Sequence, residues 1–347
     1  MDNSYDVPPR LCIQPPLLNS ANPWATTLEQ LRELYKCPAT GAVTTRTALL
    51  GQGFPHDESL HQFVFFKAGT HQAVSASEGG VRVGDASLNT LGYSPIPLDE
   101  YLEFIRQIGA EEGEGKGAGA RKPFIVSVTG TPGEVAECYR RVAEYSMTTA
   151  TPPLALEINL SCPNIPGKPP PAYDGGALRE YIAEVAGADT RVTGKGGPRR
   201  RIPWGLKTPP YTHAGQFETL AAALRDAGGG ATCPASFVTA TNTLGSCLLL
   251  GTGELPALPG PGVGGVGGAP LHPLALGNVA TLRRLLDAAP QTRHVVILGV
   301  GGVTDAAGYR RMRSVGAVAV GVGTALGVRG VKVFGEIEEG LRGAWEV

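Results

Sequence analysis

The chain lacks an excess of charge of either sign: 30 Lys and Arg stand against 31 Asp and Glu, a formal net charge of −1. With a pI near 6.6, such a surface gives no electrostatic reason to bind nucleic acid or an anionic membrane. Cysteine is sparse, with six residues at positions 12, 37, 138, 162, 233 and 247 and neither CxxC spacing nor a dense framework. They read as reduced, intracellular thiols. Three of the six histidines, His56, His61 and His71, fall in one stretch, but at a spacing that fits no metal signature, so hydrogen-bonded or solvent-facing rings are expected there rather than ligands. The N-terminal MDNSYDVPPRL has neither a basic flank nor a long apolar run. That argues against a secretory signal or a membrane anchor, and the expectation is a cytoplasmic protein.

What the chain does have is concentrated in one place. Leu156 to Asp174 reads LEINLSCPNIPGKPPPAYD, and Leu156, Ile158 and Leu160 alternate as a buried strand requires. From Ser161 the sequence turns to Cys-Pro-Asn and then Pro-Gly-Lys-Pro-Pro-Pro, a composition that fixes φ at several positions and lacks the N–H donors of a ladder. Asn159, Cys162 and Asn164 therefore sit where a rigid strand hands over to a stiff loop. That is where a barrel enzyme keeps its chemistry.

In chain order, an apolar run at Pro16 to Asn19 precedes a helix over Thr27 to Tyr35, N-capped by Thr26 or Thr27 with Glu29 in its first turn, and a strand over Gly41 to Arg46. Gln52 to Asn89 is a long excursion ending at LNTLGYSPIP. A helix at Leu98 to Ile108 leads into the solvated insert EEGEGKGAGARK, and strands follow at Phe124 to Thr129 and Ala155 to Leu160 with a helix at Gly133 to Tyr145 between them. The basic GKGGPRRR at 194–201 lacks phosphate-loop spacing and precedes a strand, so it reads as a loop on the barrel's stability face. Ile202 to Lys207 is the fifth strand, and Phe237 to Ala240, after a helix at Ala214 to Ala227, the sixth. Leu255 to Ala269, LPALPGPGVGGVGGA, is of low complexity and reads as a glycine-rich loop before a helix at Leu276 to Ala288. Strand seven, His294 to Leu298, runs into Gly301-Gly302, and strand eight, Ala317 to Gly321, behind the helix Asp305 to Ser314, runs into Gly323-Thr324. Such a pair presents N–H groups and helix starts to a phosphate.

Eight strands alternating with helices or long loops predict an α/β fold, a (β/α)8 TIM barrel with inserted loops on the catalytic face at about 52–89, 111–122, 194–201 and 251–268. At 347 residues the chain has the size at which such a barrel forms a single domain.

The string NLSCPN, followed by PGKP and a Tyr-Asp pair, resembles the dihydroorotate dehydrogenase family in its soluble, fumarate-linked class. The likeness runs from about Leu17 to about Gly330 and is specific at Asn159 to Tyr173. It implies FMN as cofactor, dihydroorotate and fumarate as substrates, and a homodimer. It further implies Cys162 as catalytic base, with Lys207 against the flavin edge and Arg46 at a position, close to flavin and substrate, that is normally Lys. Asn89, Leu91 and Gly92 match the family's Asn-Ser-Met-Gly motif that binds the pyrimidine, and Asn159, Asn164, Asn242 and Thr243 fall at further substrate positions. Ser20, Ala21, Arg46, Asn159, Lys207, Gly268, Gly301, Gly302, Gly323 and Thr324 fall at flavin positions.

The residue types suit the chemistry. Oxidising a dihydropyrimidine removes a proton beside a carbonyl and a hydride from the neighbouring carbon, which a flavin accepts. A thiol can take that proton, and neutral amides match an uncharged planar ring. Arg46 is bulkier and planar beside the expected Lys, Asn22 stands where the family has Gly, and Tyr93 replaces a smaller apolar residue. A related FMN barrel acting on another ring or enone is therefore the alternative, and a barrel that has lost catalysis the third reading.

Overall fold

The computed structural model describes residues 7–74, 83–113, 121–148, 151–161, 170–191 and 201–346. In chain order its strands are β1 (Leu17–Asn19), β2 (Val43–Thr44), β3 (Phe63–Lys67), β4 (Gln72–Val74), β5 (Ala86–Asn89), β6 (Phe124–Val128), β7 (Leu154–Asn159), β8 (Trp204–Thr208), β9 (Phe237–Ala240), β10 (Leu244–Leu248), β11 (Val263–Gly268), β12 (Val296–Val300) and β13 (Ala319–Val322). The helices are α1 (Leu28–Lys36), α2 (Leu98–Gly113), α3 (Pro132–Tyr145), α4 (Gly175–Arg191), α5 (Ala214–Asp226), α6 (His272–Asp287), α7 (Ala306–Ser314), α8 (Thr324–Arg329) and α9 (Lys332–Leu341).

Eight strands form one parallel sheet in the order β1-β13-β12-β9-β8-β7-β6-β2, and a parallel bridge from Leu18 to Ala42 joins its two ends. The barrel follows from strands such as β6, FIVSV, that are buried on both faces and need a helix layer outside and packed side chains inside. Leu18, Ile125, Ala155, Phe237, Leu298 and Ala319, from six of these strands, make up a separate core cluster together with Ile13 and Ala42. Helix starts are set locally. Thr27 accepts from Gln30 N while the Gln30 side chain returns to the cap, and Thr131 and Glu134 do the same at α3, with Pro132 in its first turn. Strand β2 is shorter than the sequence suggests, because its ladder with β6 breaks at Arg46 and Thr47, which turn into the barrel mouth, and resumes only as a bridge from Ala48 to Val128.

Two of the four expected loops are instead a second sheet. Strands β10, β11, β5, β3 and β4 pair antiparallel in that order, drawing on the 52–89 excursion and the glycine-rich 251–268 stretch. Sequence patterning misses β11 because VGGVGG has almost no side chains to alternate, yet those glycines are what let it lie flat. A Cβ on Gly264 would stand 2.4 Å from Asn89 O, too close for any other residue. Phe66, Ala86, Leu88, Leu249 and Leu258 form the sheet's apolar core, and Trp24, from the β1–α1 loop, stacks on Phe65 at 5.4 Å to fasten the sheet to the barrel rim. Of the other two expected inserts, residues 114–120 and 192–200 lie outside the described residues. At the end of the latter, Arg201 donates to the buried Asp189 at 2.6 Å.

Candidate active site

The C-terminal ends of the barrel strands and the inner edge of the second sheet line one cleft. Of the seventeen residues expected at the site, fifteen line it. Cys162 and Asn164 lie outside the described residues. Each strand delivers its share by position: β1 runs into Ser20 and Ala21, β2 into Arg46 and Thr47, β5 ends on Asn89, and β7 and β8 place Asn159 beside Lys207 in register.

The amides are held firmly. Asn159 is 6% exposed; its Oδ1 accepts from Ser161 N at 3.2 Å and Ser161 Oγ at 2.8 Å, and its Nδ2 donates to Thr47 Oγ1 at 3.0 Å. Asn242 Nδ2 donates to Ser161 Oγ at 2.9 Å, and its Oδ1 accepts from Thr243 N at 2.8 Å. Asn89 is held at the end of β5, its Nδ2 donating to Gly265 O of neighbouring β11 at 3.1 Å and its Oδ1 accepting from Leu91 N at 3.4 Å.

Two cations stand in the cleft. Lys207 is 3% exposed and its Nζ donates to Ala21 O at 3.4 Å; among the described residues no carboxylate pairs with it, an arrangement that is costly unless a ligand supplies negative charge. Arg46 is nearly buried, with Nη2 donating to Leu91 O at 3.4 Å and Gly92 O at 3.3 Å, which fixes the loop that follows Asn89. The same Nη2 lies 3.2 Å from His56 Nε2, which itself lies 2.8 Å from Tyr93 O. That ring nitrogen can serve one neighbour at a time: protonated, it donates to Tyr93 O; unprotonated, it accepts from Arg46. Burial pushes the His56 imidazole below its ordinary value, with Arg46 and His61 adding to the shift and the Tyr93 carbonyl opposing it. His56 and His61 thus belong to hydrogen-bonded loop structure, as His61 Nδ1 accepts from Asp57 N, and no metal-binding cluster occurs among the described residues. Asn22 closes its own turn, donating to Ser20 O at 2.7 Å and accepting from Trp24 N at 2.8 Å.

Opposite the amides lies a ridge of backbone. Gly302 has φ +68° and a Cβ there would meet Gly268 O at 2.6 Å. The N–H groups of Gly302, Gly323 and Thr324 donate to no acceptor among the described residues. Ser87 Oγ and Thr324 Oγ1 share a hydrogen bond of 2.8 Å. The sequence places a helix start behind each glycine pair, and α7 begins at Ala306 as expected, its N-terminus capped by Asp305, which accepts from Gly308 N at 2.7 Å. Behind Gly301 sits His272, whose Nε2 accepts from Arg311 Nε at 3.0 Å, so its proton is on Nδ1, donating to Gly301 O at 2.7 Å.

Sequence reasoning missed Trp24, Thr47, Phe63, Ser87 and Thr241, all of which line the cleft. Thr47, directly after Arg46, was within reach of a closer look at that strand end; Phe63 and Ser87 arrive only through the second sheet. Thr241 Oγ1 is buried with no partner among the described residues.

A family profile described as dihydroorotate dehydrogenase matches residues 77–344. The chain is 30% identical over 327 residues, 94% of its length and 88% of the relative's, to a probable dihydroorotate dehydrogenase A (fumarate) of Streptococcus pneumoniae. It is 32% identical over 259 residues to dihydroorotate dehydrogenase (fumarate) of Trypanosoma cruzi, covering 74% of this chain and 72% of that one. Among solved structures, ligand-free DHODH from Eimeria tenella superposes with a TM-score of 0.69 at 16% identity, over 98% of this chain and 88% of that one, a likeness of fold.

Proposed function

The chain belongs to the dihydroorotate dehydrogenase family, and from that premise we propose how its cleft works. The protein is an oxidoreductase that oxidises dihydroorotate to orotate and passes the electrons to fumarate. The observation that carries this reading is the convergence on one cleft of two cations, a set of neutral amides and a ridge of N–H donors drawn from successive strand ends.

Three features support FMN as the flavin. The N–H groups of Gly302, Gly323 and Thr324 suit a phosphate. Lys207 suits an electron-rich ring edge, and Thr241 Oγ1 has hydrogen-bonding capacity to spare. When bound, the cofactor supplies a two-electron acceptor. The rest falls to the protein. Cys162, the chain neighbour of Ser161, takes the proton from the carbon beside the ring carbonyl as hydride leaves the adjacent carbon, so the C–C bond becomes double. Asn159 and Asn242 orient the ring through neutral donors and acceptors, and Arg46 and Lys207 offset the substrate carboxylate and charge that develops during transfer. Fumarate then enters the same cleft and receives hydride and the Cys162 proton, giving succinate. The chain acts as a homodimer in this scheme.

Anaerobic addition of dihydroorotate to the yellow protein should bleach the flavin within minutes, and fumarate should restore it. An unchanged spectrum would sink the scheme. Bleaching by another cyclic enone or ring instead would favour the second reading, which rests on Arg46 and Tyr93 both lining the cleft. A colourless protein that takes up no FMN would favour a barrel without catalysis.

A further inference from the structure

Beneath the amides lies a carboxylate that touches no ligand position. Glu157, on β7, is 2% exposed. Its Oε1 accepts from Ser127 Oγ at 2.9 Å and its Oε2 from Thr239 Oγ1 at 2.7 Å. A carboxylate can only accept, so each hydroxyl's single proton is committed to it.

That commitment propagates. Ser127 Oγ, having given its proton to Glu157, can only accept from Thr47 Oγ1 at 3.0 Å. Thr47, having given its proton to Ser127, can only accept from Asn159 Nδ2 at 3.0 Å. The amide nitrogen of Asn159 therefore faces Thr47 and its oxygen faces Ser161, whose hydroxyl donates to it at 2.8 Å. Ser161 Oγ is left to accept from Asn242 Nδ2 at 2.9 Å, which turns Asn242 Oδ1 onto Thr243 N. One buried charge thus sets the sense of every donor in a row of six side chains that ends in the cleft. Reversing either amide would place two donors or two acceptors face to face in a buried site, leaving groups without partners.

We propose that Glu157 is a positioning residue of this enzyme: acting through Ser127 and Thr47, it fixes which face Asn159 and Asn242 turn to a planar ring ligand. The proposal rests on the reading of the cleft as a ring-binding site.

The test uses the full chain and reads the side-chain amide resonances of Asn159 and Asn242 by NMR, which needs no ligand, together with orotate affinity by calorimetry. Glu157→Leu and Ser127→Ala should each shift both amide resonances and weaken orotate binding roughly tenfold, one mismatched hydrogen bond. The double variant should lose no more than either single one, because both break one chain. Thr239→Val, which removes only the hydroxyl on the other carboxylate oxygen, should leave both amides in place. Ser127→Ala carries the test if Glu157→Leu does not fold. Unmoved amides in Ser127→Ala overturn the proposal, as do moved amides with unaltered orotate affinity. If the amides move but the parent protein binds no orotate, the positioning role stands and the substrate assignment fails.

Discussion

At the scale of single residues, chemistry and architecture separate cleanly in the candidate site. Cys162→Ala should slow reduction of the flavin by dihydroorotate by orders of magnitude in stopped-flow while the protein stays yellow, because in the proposed scheme the thiol serves proton transfer and not cofactor binding. Cys162→Ser should keep activity that rises with pH, since a hydroxyl ionises far less readily than a thiol at about 8.5; parent rates in both variants would remove Cys162 from the base role. His56 gives a pH dependence of its own. Its folded imidazole titrates below the ordinary 6.5, so below about that pH the unfolded chain binds more protons than the folded one. Stability from this group is present above the unfolded pKa and lost as pH falls through the folded one. Thermal melts at pH 7.5 and 5 should show a smaller drop for His56→Asn than for the parent, and equal drops would refute it. Much at this scale was legible in the sequence, since Asn159, Lys207 and Asn242 stand at or just past the ends of apolar strands buried on both faces. Glu157 was not legible, because a lone Glu inside an apolar strand reveals its partners on β6 and β9 only once the barrel has closed.

At the scale of elements, the ridge of glycines is the part most exposed to substitution. Gly302→Ala combines a φ of +68° with a Cβ 2.6 Å from Gly268 O, so a loss of about 1–3 kcal/mol and of bound flavin is expected. Melting temperature and the ratio of flavin to protein absorbance read the two effects, and a fully loaded variant would remove Gly302 from the cofactor site. The cap of α1 was read in advance at Thr27, whereas that of α3 was not, because the expected helix began at Gly133, two residues past Thr131. The second sheet was not readable. Its edge strand β4 has three residues, all exposed or half-buried, and β11 is mostly glycine, so neither leaves the apolar alternation on which strand prediction depends.

At the scale of the whole molecule, the ligand and the fold should stabilise one another. The proposed phosphate ridge follows β12 and β13, next to the seam where β1 and β2 meet through a single bridge between Leu18 and Ala42. FMN at a hundred times its dissociation constant should add about 2.7 kcal/mol to the stability of the flavin-free protein, seen as a concentration-dependent rise in melting temperature. A melting point indifferent to FMN would speak against the assignment. The barrel itself was plain from the sequence because parallel strands buried on both faces are long apolar runs, and runs of that kind at β6, β7 and β12 survive any uncertainty about their ends. No helix among the described residues is long and apolar enough to cross a membrane.

The nearly bare strand β11 has one more implication. Pairing is normally locked because slipping by a single residue exchanges inside for outside, but a ribbon of VGGVGG has only two side chains to exchange, so its register is held mainly by the close backbone approach at Gly264. Excising one of its glycines would let the ribbon re-seat about 3.4 Å along its neighbours, dragging the Gly265 anchor of Asn89 with it. Evolution of a different ring preference could therefore proceed by small deletions here, far along the chain from the thiol.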